Sequence, residues 1–377
     1  MRASAPSLPR WPSSAGILLV AYLVSNTLAN LETRNIATGF GFLQREAGFG
    51  ISESAIPYNP ANTYFRALAV GVFNTLKVAV VGIILATFIG ILAGVARLSR
   101  NWLVARLATC YVEGLRNIPV LLQLFFWYAL ITEGLPGPRQ ALNPLPGIFL
   151  SARGLKLPEP VWQTTHAVML VVFLVAIAVA WAIGRWAKLR QDRSGQVFPT
   201  LPVSLGLIIG LPFLVWLLGG APMALDVPAL QGFNFVGGVT ITPEFTALLV
   251  GLVLYTATFI AEIVRGGILA VAHGQTEAGL ALGLSRGQVL RLVTLPQAMR
   301  VIIPPLTSQY LNLTKNSSLA VAIGFPDLVS VANTAINQTG QAVEGVAIIM
   351  AVYLTVSLSI STFMNWYNRR IAVKGGR

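Results

Sequence analysis

TEAGLALGLSRGQVLRLVTLP, residues 276–296, is a polar, small-residue stretch set between two strongly apolar segments. Thr276 can open a short helix carrying Glu277, Ala278, Gly279, Ala281 and Leu282, and Gly283 is suited to end it. Ser285 followed three positions later by Gln288 is a capping-box start for a second helix running to Leu295 and Pro296. The expectation is a compact helix, turn and helix whose small side chains let another protein's surface approach closely. Such a stretch between two apolar runs asks what kind of chain surrounds it.

The surroundings are those of an integral membrane protein. Of 377 residues, 55% are hydrophobic and 10% charged, and the mean hydropathy is +0.71, far from the balance of a soluble domain. A bilayer core takes roughly 20 apolar helical residues to cross. Runs of that kind fall at about 15–31, 68–96, 102–132 (interrupted), 164–187, 200–219, 245–269, 300–323 and 343–366. The predicted fold class is therefore all-α integral membrane with about eight transmembrane helices.

The formal net charge of +13 does not point to nucleic acid, because the charges cluster at span ends. One side collects Arg2 and Arg10, then Arg97, Arg100 and Arg106, then Arg185, Lys188, Arg190 and Arg193. It continues with Arg265, Arg286, Arg291 and Arg300, and with Arg369, Arg370, Lys374 and Arg377. The opposite connector 220–244 has no Lys or Arg. By the positive-inside rule both termini and the 276–296 stretch are expected in the cytoplasm, as an even number of spans requires. Trp11, Trp102, Trp162, Trp186, Trp216 and Trp366 fall near span ends, as an aromatic belt would. The first apolar run has no convincing small-x-small cleavage site after it and reads as a retained helix.

Other chemistries find little support. A single cysteine, Cys110, excludes an internal disulfide, and His166 and His273 make no ligand cluster. There is no zinc motif and no Gly-x-x-x-x-Gly-Lys-Ser/Thr phosphate loop. The Pro- and Gly-rich connectors 134–160 and 220–244 read either as surface loops that meet a partner or, more simply, as ordinary extramembrane connections, and 189–199 as a short basic turn.

Within the spans, ionisable groups are costly and each invites a role. Glu262 lies one turn from Arg265, either as a compensating helical pair or facing a central cavity that receives a cationic group. Lys77 near its span end reads as a snorkelling side chain. In YVEGLRNIPVLLQLFFWY, residues 111–128, Pro119 lacks an amide donor and pushes Ile118 from helix, so a break is expected near Arg116–Pro119. Broken membrane helices recur where backbone lines a cavity. Arg116 beside the break either meets a carboxylate or pairs with Glu113. Pro304 and Pro305 are expected to break or kink the seventh span.

Here the residues carry a resemblance. The 276–296 stretch resembles the EAA loop of ABC-importer permeases, a pattern of Glu-Ala-Ala, three residues, Gly, nine residues, Ile, one residue, Leu-Pro. Glu277, Ala278, Gly283, Leu295 and Pro296 match in register, while Gly279 replaces the second Ala and Val293 the Ile. Segments 66–133 and 243–368 are similar to the polar amino acid subfamily, with RNIP departing from the more usual Arg-Gly-Thr-Pro. The added first span and the insert make the chain look like permeases of general L-amino acid importers.

The resemblance implies a type I importer permease core of five spans, plus one N-terminal span and a two-span insert. Its parts would be 1–65, an N-terminal span and external loop; 66–133, the first half of the core; 134–242, the insert; and 243–377, the second half with the coupling loop. It further implies that residues Glu277, Ala278, Gly279, Gly283, Leu295 and Pro296 couple to a cytoplasmic ATPase. Expected partners are a second, related permease subunit, two ATPase subunits, a periplasmic amino-acid-binding protein and membrane lipids. No cofactor is expected on this chain, and ATP and Mg would sit on the ATPases. For a zwitterionic solute, Glu262 would meet the ammonium and Arg116 the carboxylate. Polar companions would come from Asn117, Gln123, Thr256, Thr258, Lys315, Asn316 and Ser317, with Lys315 either at the outer mouth or paired with Asp327. A passive channel, a scaffold and a membrane enzyme are the competing readings.

Overall fold

The computed structural model describes residues 13–33 and 38–371. Arg2, Arg10, Trp11, Lys374 and Arg377, part of the charge and aromatic pattern, lie outside the described residues. In chain order the helices are α1 (Ser13–Thr33), α2 (Tyr64–Ala96), α3 (Trp102–Arg116), α4 (Val120–Gly134), α5 (Thr164–Ser194), α6 (Thr200–Leu205) and α7 (Leu211–Leu218). Then follow α8 (Pro243–Leu269), α9 (His273–Ala281), α10 (Arg286–Val289), α11 (Leu295–Asn316), α12 (Leu328–Thr339) and α13 (Ala342–Ile371). The chain divides into two compact units, one made of residues up to Leu130 with those from Glu244 onward, the other of Ile131–Pro243.

Among the described residues, six helices are long and apolar enough to cross a membrane: Tyr64–Ala96, Thr164–Ser194, Thr200–Leu218, Pro243–Leu269, Arg286–Ile323 and Ala342–Arg370. The bent pair α3 and α4 makes a seventh if counted as one span. The first run expected from sequence forms α1, a helix of 21 residues that stands outside this count.

In the larger unit, α2 is the central element. Thr63 caps it by accepting from the Arg66 N–H at 3.3 Å. Gly82, Ala86, Gly90 and Gly94 recur every fourth residue, so one stripe of the helix is nearly flat and neighbouring backbones close on it. A methyl group at Gly90 would lie 2.6 Å from Ile260 Cβ, and one at Gly94 would lie 2.7 Å from the Ala261 carbonyl oxygen. The core beside this stripe joins Ala86, Ala257, Ile260, Val264, Ile302, Ile303 and Leu313. A second core ties Tyr64, Ala67 and Leu68 to Leu328, Val331 and Ala335 of α12.

The break near Arg116–Pro119 is present: α3 and α4 meet at 104°. Gln123 on α4 reaches back, its Nε2 donating to the Leu115 and Ile118 carbonyls at 2.8 and 3.0 Å, which satisfies backbone that the turn leaves open. Pro304 and Pro305 do not break their helix, which runs through them from Leu295 to Asn316. The irregularity lies upstream, where Leu290–Thr294 forms a π turn immediately before Leu295–Pro296. Gly206–Gly210 forms another before Leu211–Pro212. A wider turn ahead of each proline gives room for a ring that would otherwise press on the carbonyl one turn back.

The smaller unit corrects the reading of the connectors as plain loops. They form short strands: β1 (Leu142–Leu145), β2 (Ile148–Ser151), β3 (Gly154–Leu157), β4 (Glu159–Pro160), β5 (Leu225–Asp226), β6 (Ala229–Gln231), β7 (Asn234–Val236) and β8 (Val239–Ile241). One antiparallel sheet has the order β1-β2-β3-β8, and β4-β5 and β6-β7 are separate ribbons. Two-residue connections set the hairpins, with Gly147 at φ 80° between β1 and β2 and Gly232 at φ 65° between β6 and β7. The helices α5 and α7 adjoin in the same unit, where Thr165 Oγ1 donates to the Gly219 carbonyl at 3.3 Å.

Candidate functional site

The stretch 273–296 folds as a helix, a stop and a second helix. α9 begins at His273, three residues before the expected start at Thr276, and His273 Nδ1 lies 3.0 Å from Glu277 Oε1 on its exposed face. Gly283 takes φ 80°, and the Leu284 N–H returns to the Gly279 carbonyl at 3.2 Å, closing the helix end. The capping box is complete: the Ser285 N–H donates to Gln288 Oε1 at 2.8 Å, and the Gln288 N–H to Ser285 Oγ at 3.4 Å. Gly279 is buried against the second helix, where an added methyl would lie 3.0 Å from Val289 Cγ2. Glu277, Ala278, Leu280, Ala281 and Leu282 remain exposed, with Leu282 at 83%. Leu295 and Pro296 do not end the second helix; they start α11, so the element continues to Ile323.

A charge cluster joins α2, α3 and α8 near the end that leads to this loop. Arg97, the C-cap of α2, places Nη1 2.5 Å from Glu262 Oε2, and Arg265 places Nη2 2.5 Å from Glu262 Oε1. Arg265 Nε adds a bond to Oε2 at 3.2 Å, and Glu113 lies 3.8 Å from Arg97. Both oxygens of Glu262 are thus held by guanidinium groups of the chain itself. Arg116 ends α3 exposed, and the Arg facing Glu113 is Arg97 rather than Arg116.

Along α8, Tyr255, Phe259 and Glu262 are spaced i, i+4 and i+7, so they share one face. Tyr255, Thr256 and Phe259 line a cleft of about 280 Å³ together with Gln309, Asn312 and Asn316 of α11. Glu262 follows Phe259 by one turn, roughly 4.5 Å further along the axis, so the cleft and the charge cluster succeed one another on the same face. The three amides lie at i, i+3 and i+7 along the polar second half of α11. Each amide offers both donors and an acceptor, a set that suits a small zwitterion without a fixed charge.

The remaining candidates are placed elsewhere. Thr258 is buried and donates to the Tyr255 carbonyl at 2.7 Å, and Ser317 is buried and donates to that of Thr314 at 2.7 Å. Asn117 is exposed and donates to the Glu113 carbonyl at 2.8 Å. Lys315 is exposed and forms no ion pair with Asp327. Asp327 instead caps α12, accepting from the Ser330 N–H at 2.8 Å, and Tyr353 Oη lies 3.5 Å from its other oxygen. Burial pushes its carboxyl up from 3.8 to about 6. Lys77 pairs with Glu53 at 2.6 Å and lies over the Phe245 ring at 4.2 Å. Among the described residues no three His, Cys, Asp or Glu side chains converge as metal ligands.

With this geometry in place, comparison with known proteins is decisive. Residues 86–373 match the family described as binding-protein-dependent transport system inner membrane component. The chain belongs to that family. It is 52% identical over 354 residues to AapQ, the general L-amino acid transport system permease protein of Rhizobium johnstonii, covering 94% of this chain and 88% of AapQ. It is 51% identical over 356 residues to YhdX of Escherichia coli (strain K12), covering 94% and 91%. The glutamate/glutamine/aspartate/asparagine transport system permease protein BztB of Rhodobacter capsulatus is 42% identical over 387 residues, covering 94% and 90%.

As an inner-membrane component of this family, the chain is a membrane subunit of a transport system. Sequence reasoning named Thr256 and Asn316 but missed Tyr255, Phe259, Gln309 and Asn312. The signal is the i, i+3, i+7 spacing of the amides 309, 312 and 316. It also took Arg97 only as a topology-setting charge; its partner Glu262 is 165 residues away in sequence, and no local pattern announces the contact.

Proposed function

We propose that this permease forms one half of the path of an ATP-driven importer of polar L-amino acids in a bacterial cytoplasmic membrane. The observation that carries the proposal is the 273–296 element: an exposed small-residue helix fixed through Gly279 to a second helix that continues, through the π turn at Leu290–Thr294, past the cleft. A push on the exposed helix is thereby delivered to the residues beside the solute. Two cytoplasmic ATPase subunits, holding ATP and Mg, would supply that push. A second, related permease subunit would complete the path, and a periplasmic binding protein would deliver the solute. Both termini would face the cytoplasm, in keeping with the excess of Lys and Arg at those span ends. The Ile131–Pro243 unit is an addition to the transport core.

In this reading the solute's ammonium and carboxylate are met by the neutral amides Gln309, Asn312 and Asn316, with Tyr255 and Phe259 against its side chain. The amino acid class is supported by the relatives named for such solutes. A neutral polar cleft accepts acidic and neutral side chains alike, since neither charge is repelled by a fixed charge in the lining. Glu262, Arg97 and Arg265 act next along the same face as a closure, broken and re-formed as the subunit alternates between outward and inward access.

The test is uptake of a labelled amino acid panel into proteoliposomes containing the assembled complex and its binding protein. Uptake that requires internal ATP and falls on replacing Asn312 by Leu is expected. Uptake that proceeds without ATP would instead make the chain a passive channel.

A further inference from the structure

The β module of the Ile131–Pro243 unit contains a cationic cleft that the transport path does not use. It has a volume of about 230 Å³ and is lined by Ser151, Arg153, Lys156, Asn234, Phe235 and Thr240. Lys156 and Thr240 are cross-strand neighbours on β3 and β8, and Ser151, 1% exposed, ends β2. Phe235 of the lining packs against Phe149, with ring centres 4.5 Å apart and planes tilted by 31°. Arg153 is held at the rim by the side-chain oxygen of Asn234.

We propose that this cleft receives an acidic side chain of the external binding protein, making the β module a docking platform. The proposal rests on the importer reading, which puts the module on the outer side of the membrane.

Charge is the first argument. Arg153 and Lys156 share the cleft, no Asp or Glu lines it, and neither cation belongs to an ion pair among the described residues. Burial lowers the Lys156 pKa, so its charge is held at a cost that a carboxylate would relieve. The donor set fits one carboxylate: a guanidinium fork, an ammonium and the hydroxyls of Ser151 and Thr240. Placement is the second argument: in the proposed function the free solute is taken by the polar cleft between α8 and α11, which leaves the cations of this module to a different occupant. Arg139, stacked over the Phe233 ring at 3.9 Å in the same module, adds positive field that would steer an acidic partner toward it.

The experiment measures ATP hydrolysis by the reconstituted complex against the concentration of solute-loaded binding protein, for the natural chain and for Arg153→Glu and Lys156→Glu. The half-maximal concentration is expected to rise at least about tenfold in each variant, with hydrolysis in the absence of binding protein unchanged. Added salt should weaken docking of the natural chain more than that of the variants. Arg153→Gln and Lys156→Gln, close in volume, carry the same test if the reversals fail to assemble. An unchanged half-maximal concentration would overturn the proposal. So would an unchanged value accompanied by a higher KM for acidic solutes alone, which would assign the cleft to the free solute. If the natural complex shows no response to binding protein at all, the importer reading itself fails, and this proposal with it.

Discussion

Replacing Glu262 by Gln keeps the side-chain volume and removes one charge from the α2–α8 cluster. Glu262 accepts from Arg97 at 2.5 Å and from Arg265 at 2.5 and 3.2 Å, and once it is neutral Arg97 retains only Glu113 at 3.8 Å. Removing one partner of a buried pair costs roughly 3–5 kcal/mol, whereas exposed pairs contribute about 0–1 kcal/mol. The side chains of Glu262 and Arg97 are 34% and 12% exposed, between these limits, so a loss of about 2 kcal/mol is expected. That is a roughly thirtyfold change in any equilibrium in which the cluster is formed on one side only. The assay is ATP-driven uptake of basic, neutral and acidic amino acids over a range of concentrations. The maximal rate should fall severalfold or more, while KM for each solute stays within about threefold, because in the proposed path the solute contacts the amides rather than this carboxylate. Combined with Arg97→Gln, the two losses should fall short of additivity by about 1–2 kcal/mol. A KM that rises for basic amino acids alone, at an unchanged maximal rate, would refute the reasoning and return Glu262 to the solute.

Three further outcomes are expected. Gly90→Leu should lower the melting temperature of the detergent-solubilised protein, at a cost of about 3 kcal/mol, because even a Cβ meets Ile260 at 2.6 Å; Gly114→Ala, with nothing within 4 Å, should not. Asp327 holds its proton up to about pH 6 when folded but releases it near 3.8 when unfolded. The folded form therefore binds more protons in between, and stability falls as pH rises from about 4 through 6, then levels. Asp327→Asn keeps the cap on Ser330 and should flatten that slope, raising stability at pH 7 by up to about 3 kcal/mol; melting curves across pH that keep the natural slope would contradict this. Leu282→Asp, at a residue 83% exposed, should leave the subunit folded and cut ATPase co-purification by about tenfold, and full retention of the ATPase would detach the loop from that role.

The parts legible in the sequence are those written in short-range chemistry. Ser285 and Gln288 specify a helix start within four residues, Gly283 a stop, and Pro119 a break, and all three are found. The spans follow from hydropathy: seven of the eight apolar runs reappear as membrane-long helices or as the bent pair, and the first forms α1, which stands outside that count. The strands were hidden because each is two to four residues long, too short for alternation to be distinguished from a loop. Pro304 and Pro305, where a break or a kink is expected, leave the helix unbroken from Leu295 to Asn316, with Ile302, Ile303 and Leu306 packed in the core beside them. The site was half visible. Its amides have helical spacing, but their value depends on α8 standing opposite, a relation that only the folded chain expresses.

The π turn at Leu290–Thr294 has a bearing on register. A π turn takes up one residue more than an α turn would, so the faces above and below it are in phase as if the helix were one residue shorter. Between the capped start at Arg286 and the amides at 309, 312 and 316, that surplus residue sets the angular aim of the cleft. Removing one residue from 290–294 would regularise the helix and leave the amides aimed as they are. Removing one from 297–308 would turn everything upstream, α9 included, by roughly 100° relative to the cleft. The subunit would then keep its spans, its cleft and its loop, and the last two would no longer face the directions in which a stroke from below can be received.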